Sequence, residues 1–167
     1  MSYYKITTED IQKYTVPIDI TADWVASRDP NFPINSASLQ GNRFNKAGET
    51  AYYIASGSDT MKEEVPNWRD RVTYRCSPTL IHAFDLAHWS NDIGCRDDFL
   101  KSKAVGGYGV CREISSQLTG IYGLSGILYN SHGMHAVGST GSCLVILPPS
   151  GSLVGDTFFV KDVSGSQ

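Results

Sequence analysis

The sequence contains no apolar run long enough to cross a bilayer, no excess of basic residues and no paired-cysteine motif. Each absence removes a class of protein. Without a spanning segment there is no membrane-embedded function to assign. Fourteen basic against 17 acidic side chains give a formal charge of −3, which argues against a nucleic-acid partner. The opening MSYYKITTEDIQKY carries neither a basic leader nor an apolar core, so no secretory signal is read and action in a cytoplasm, the cell's own or a target's, is expected. Cys76, Cys95, Cys111 and Cys143 are widely spaced with no CxxC pair, as expected of reduced, mostly buried thiols, although two disulfides stay formally open. No Cys or His pairing has zinc-site spacing, so no metal is expected. GGYGVCR lacks the third glycine of a dinucleotide fingerprint, and GSTGS lacks the lysine of a phosphate loop.

What is present suits one domain over residues 1–167, with 41% hydrophobic and 19% charged residues. Tyr3–Ile6 has the character of a short strand, and Thr7 or Thr8 can cap a helix that follows it. Asp29–Ser36 is a Pro/Asn loop. TAYYIAS, RVTYRCS, LIHAFDL, GILYNS and SCLVIL have the β-branched and aromatic content of strands. LIHAFDL is apolar on both faces, which suits an interior strand. SDTMKEEV gives a short helix stopped by Pro66, and GYGVCREISSQLTG a longer amphipathic one with Val110, Ile114 and Leu118 on one stripe. His132 and His135 have helical spacing, but Gly133 and the glycines beyond it argue against a helix there. From Pro148 the chain is rich in Gly and Ser, and a weakly structured tail from about residue 150 is expected. The sum is an α+β domain with a mixed or antiparallel sheet and a few short helices.

The segment GNRFNKAGETAYYIASGSDTMKEEV, Gly41 to Val65, orders its residue types in a way that packing does not require. Arg43 offers a fork of donors suited to phosphate oxygens, and Gly41 lets backbone approach a ligand closely. Tyr52 and Tyr53 point to opposite faces of one strand, so one is core while the other can line a cleft. Glu63 and Glu64 end a helix where the dipole disfavours carboxylates, which suggests a role other than helix stability for one of them. Ser131 sits at a strand end, where functional side chains are presented, but YNSHG is not a nucleophile elbow.

The same segment resembles the signature of the RES-domain family, named for its arginine, glutamate and serine. Arg43 in GNRFN, Tyr53 in YIA and Glu64 in EEV match in order. GILYNSHG resembles the later serine segment, at Ser131, with Asn130 where the family usually has proline. CLVIL resembles the closing strand. The resemblance implies a fold similar to ADP-ribosyltransferase toxins, NAD as substrate with no further cofactor or metal, and a protein antitoxin or immunity protein covering the active site. It implies cleavage of the nicotinamide–ribose bond. Arg43 would grip a phosphate, Tyr53 would stack on nicotinamide, and Glu64 would face the ribose. Ser131 would position the ribose or carboxamide, with Asn45 and Gly41 as further contacts. A mono-ADP-ribosyltransferase acting on a protein, and an inactive NAD-binding module, are the alternatives within this fold. A hydrolase using Cys111 is the alternative outside it.

Overall fold

The computed structural model describes residues 4–20, 24–26, 42–49, 51–64, 73–76, 79–101, 108–124, 126–136, 138–147 and 159–164. Among these, the chain forms an α+β fold in which short helices pack on an eight-stranded mixed sheet. In chain order the elements are α1 (Thr8–Tyr14), β1 (Thr15–Ile20), β2 (Val25–Ala26), β3 (Tyr52–Ala55), α2 (Ser58–Glu64), β4 (Thr73–Cys76) and β5 (Thr79–Asp85). There follow α3 (Leu86–Asp92), α4 (Arg96–Leu100), α5 (Gly109–Gly120), β6 (Gly126–Asn130), α6 (His132–Ala136), β7 (Ser142–Ile146) and β8 (Phe159–Ser164).

The strand order is β1-β5-β6-β7-β3-β2-β4-β8. Every pairing is antiparallel except β5 with β6, whose crossover contains α3, α4 and α5. LIHAFDL is accordingly an interior strand. Strand alternation divides the core in two. Tyr52, Ile54, Leu144 and Ile146 pack on one face with Ile20, Ile81 and Ala83. Ala55, Tyr129, Cys143 and Val145 pack on the other, against the helices. There Trp89 packs edge-on or tilted against Phe84, Phe99 and Tyr4 at ring separations of 6.0 to 6.1 Å. Tyr52 is therefore the core tyrosine of its pair and Tyr53 the one on the helix side.

Local chemistry explains several boundaries. Thr7 caps α1 through a reciprocal pair with Asp10: each side chain accepts from the other residue's backbone N–H, at 3.1 and 2.9 Å. The expected strand at Tyr3–Ile6 is not formed over its described part; residues 4–7 are irregular. Side chains satisfy that backbone instead: Ile6 N–H donates to Gln117 at 2.8 Å, Gln117 donates to Tyr4 O at 2.7 Å, and Tyr122 to Ile6 O at 2.7 Å. α3 follows β5 directly, with Asp85 Oδ1 accepting from His88 N–H at 3.1 Å.

Two expectations are corrected. His132–Ala136 forms a helix despite Gly133, because Ser131 Oγ accepts from Met134 N–H at 3.1 Å and caps it. The glycine is needed for a different reason. A Cβ on Gly133 would lie 2.3 Å from the Glu63 carbonyl oxygen, so the absent side chain is what lets α6 lie against α2. Phe159–Ser164 forms β8, paired to β4, within the segment whose composition predicts little structure. Gly and Ser content there hides one strand-length run, FVKDVS. The Asp29–Ser36 loop and Pro66 lie outside the described residues.

Candidate active site

A cavity of about 170 Å³ opens on the helix side of the sheet, where β3, β7 and β6 lie side by side. Asn42 and Arg43 line it from the turn before β3, Tyr53 from β3, Glu64 from the end of α2, and Tyr108 from the start of α5. Tyr129 and Cys143 floor it from β6 and β7. Register accounts for the floor: Cys143 pairs with Ala55 on one side and Tyr129 on the other. One step on, Ser56 N–H donates to Ser142 O at 2.9 Å and Ser56 Oγ accepts from Ser142 N–H at 3.1 Å, before α2 turns away carrying Glu64 to the rim.

Arg43 is buried, 6% exposed. Its Nη1 donates to Phe99 O at 3.2 Å and Lys101 O at 2.9 Å, and its guanidinium lies 4.6 Å from the Tyr108 ring centre. Among the described residues no carboxylate lies within ion-pair distance of it. Among the described residues this buried guanidinium meets carbonyl dipoles, a ring and the Cys111 thiol but no carboxylate, so its charge stays available to an anion. Arg112 also approaches this ring, at 5.8 Å, and donates through Nε to Asn42 O at 2.9 Å.

Tyr53 offers its ring to the cavity and its hydroxyl to the turn. That hydroxyl accepts from Phe44 N–H at 3.0 Å and donates to Asn45 Oδ1 at 2.6 Å. Burial pushes the phenol well above its ordinary range, against the opposing effects of the Phe44 N–H and the Arg43 charge. Asn45 is buried and does not line the cavity. Its Nδ2 donates to Glu49 O at 3.2 Å, so its side chain closes the turn in which Gly48 adopts φ +86°. Gly41 lies outside the described residues.

Ser131 is 1% exposed and also stands behind the cavity wall, capping α6 and bonded through its N–H to Gly141 O at 2.9 Å. It neighbours the thiol of Cys143, whose Sγ donates to Glu64 Oε1 at 3.4 Å. Arg43, Tyr53 and Glu64 thus share one cavity, with Ser131 one residue removed. Nothing local in the sequence marks Tyr108, Tyr129 or Cys143 as wall residues; for Asn42 the signal is its place beside Arg43. Cys111 is 2% exposed and burial raises its thiol, a poor setting for a nucleophile. Among the described residues no group of three or more His, Cys, Asp or Glu side chains could hold a metal, and no helix is long and apolar enough to cross a membrane.

No protein-family model matches the chain, and no curated protein matches it in sequence. In structure it is similar to a chain of the crystal structure of the M. tuberculosis MbcT–MbcA toxin–antitoxin complex. The TM-score is 0.65 at 15% identity, over 93% of this chain and 89% of that one. The likeness spans nearly the whole of both chains and is a likeness of fold.

Proposed function

We propose that the chain is a toxin that consumes NAD by cleaving its nicotinamide–ribose bond, and that it belongs with the RES-domain proteins its Arg43, Tyr53, Glu64 and Ser131 segments resemble. The observation that carries this reading is the buried Arg43, without a carboxylate among the described residues, on the wall of the cavity that Glu64 also lines. A ligand anionic at one end and cationic at the other suits those two walls. The volume adds to this: about 170 Å³ holds one aromatic ring with little to spare, close to the ~150 Å³ that accepts benzene elsewhere. The nicotinamide end would enter while the adenosine half stays outside.

In this reading Arg43 grips the pyrophosphate, aided by Gly41 where backbone approaches it. Tyr53 packs on the nicotinamide, and Asn45 holds both in place through the turn. The C1′–N1 bond breaks heterolytically, its electron pair returning to the ring, so nicotinamide departs neutral and needs no protonation. The sugar becomes oxocarbenium-like, the charge pattern of glycoside cleavage. Glu64 places negative charge beside that centre and hydrogen-bonds the ribose hydroxyls. Water adds to C1′ and loses a proton, giving ADP-ribose. Ser131 contributes from behind the wall.

A protein antitoxin or immunity protein covering the cavity is part of the proposal. The structural neighbour is a component of a toxin–antitoxin complex, and a free NAD-cleaving activity would harm its producer. Induced expression in a bacterial host, beside Glu64→Gln, tests the reading. Falling cellular NAD and arrested growth with the native chain only are expected. Normal growth with unchanged NAD would count against it.

A further inference from the structure

Cys143 occupies the middle of the cavity floor. It is 3% exposed and its Sγ stands 3.4 Å from Glu64 Oε1, the carboxylate that the reaction requires near the sugar. Glu64 ends α2, where the helix dipole opposes its charge. A carboxylate in that place gains from an anchor. β7 supplies one, because its register with β3 and β6 puts Cys143 on the helix-side face between Ala55 and Tyr129.

We propose that Cys143 is a positioning residue: its S–H donates to Glu64 Oε1 and holds the carboxylate toward the ribose, and Ser131 acts on the reaction through this thiol. The inference rests on the NAD-cleaving reading for its catalytic consequence. The thiol–carboxylate contact itself is independent of it.

Three observations support the assignment. The thiol remains a donor: burial first, and then the Glu64 charge, hold it well above the ordinary cysteine range. The sulfur in turn has hydroxyl neighbours, Tyr129 and Ser131, whose proximity opposes that rise. Ser131 does not line the cavity, whereas Cys143 does, so the serine's route to the ligand runs through the sulfur. An apolar residue of similar size would fill the floor equally well and donate nothing.

The test combines kinetics with infrared spectroscopy on the full chain. Cys143→Ala should lower kcat for NAD cleavage about tenfold while leaving KM within about twofold, the signature of an interaction expressed in the transition state. Cys143→Ser keeps a donor and should stay within about threefold of the native rate. In a Glu64→Gln background, Cys143→Ala should cost nothing further, because the group it positions is gone. Unchanged kcat in Cys143→Ala, or equal losses with and without Glu64, would overturn the proposal.

The S–H stretching band needs no substrate. Isolated as the difference between the native chain and Cys143→Ser, it should lie at the low frequency of a donor to a charged acceptor. It should move up in Glu64→Gln. A band at the same position in both overturns the contact whatever the chain does to NAD. Intact NAD beside a band that does move would remove the reaction and keep the contact.

Discussion

The hydroxyl of Tyr53 donates to Asn45 Oδ1 at 2.6 Å while accepting from Phe44 N–H at 3.0 Å. One strand side chain therefore holds the turn that presents Arg43, and the aromatic ring and the cation are placed by a single device. Tyr53→Phe keeps the ring and removes that device. It leaves a backbone donor and an amide oxygen without their partner, at about 1–3 kcal/mol of stability. The expected outcome is a lower denaturant midpoint and a raised KM for NAD, since the turn is released and the ring remains. A KM equal to that of the native chain would show that the turn holds Arg43 unaided.

Arg43→Lys tests whether the guanidinium fork is required. An ammonium is a point charge that cannot bond two carbonyls, sit over the Tyr108 ring and still present a planar pair of donors to phosphate. Turnover should fall by about 10–100-fold in Arg43→Lys, and at least as far in Arg43→Ala. Steady-state kinetics on variants with native circular dichroism would measure this.

The closeness of α2 and α6 makes Gly133 sensitive. In Gly133→Ala the new methyl would sit 2.3 Å from the Glu63 carbonyl oxygen, and because that atom is backbone one helix must move. A loss of about 1–3 kcal/mol is expected from such overpacking. Glu64 is the next residue along α2, so NAD cleavage should fall as well. Thermal unfolding and turnover of one preparation would check both effects.

Alkaline pH should unfold the chain through its tyrosines. The hydrogen bond to Asp98, then burial, raise Tyr4 to about 12; burial raises Tyr53 and Tyr129 too. A phenol raised on folding binds its proton more tightly in the folded state. Its contribution is complete below the unfolded value of about 10 and is lost as pH climbs toward the folded value. Asp98 runs the other way: the Tyr4 bond lowers it, so its contribution holds above the unfolded carboxylate value and disappears as pH falls through the folded one. Midpoints of urea unfolding should be flat through neutral pH, begin to decline above about 8.5 as the raised thiols of Cys111 and Cys143 lose their contribution, and fall more steeply above about 10, with Tyr4→Phe declining less steeply there.

Much of this architecture was legible in the chain because it rests on local signals. The Thr7 cap, the period-two strands with their opposed Tyr52 and Tyr53, and the amphipathic stripe of α5 each follow from residues close in sequence. The grouping of Arg43, Tyr53 and Glu64 was legible only by resemblance, since nothing local says that α2 folds back beside the turn. What was hidden depends on distant partners. The amide of Asn45 closes the turn that carries Arg43. The hydroxyl of Ser131 caps α6. Gly133 argued against a helix by propensity, while the close approach of Glu63 demanded a glycine there. Cys143 showed only as a buried thiol, because its carboxylate partner lies 79 positions away.

The most direct test is incubation of the purified chain with NAD, beside Glu64→Gln, with products separated by chromatography. The account predicts nicotinamide and ADP-ribose in equal amounts from the native chain, and at least about a hundredfold less from the variant. Nicotinamide formed only when a protein acceptor is supplied, with ADP-ribose attached to it, would contradict hydrolysis. NAD left intact by a folded native chain would contradict the cleavage itself.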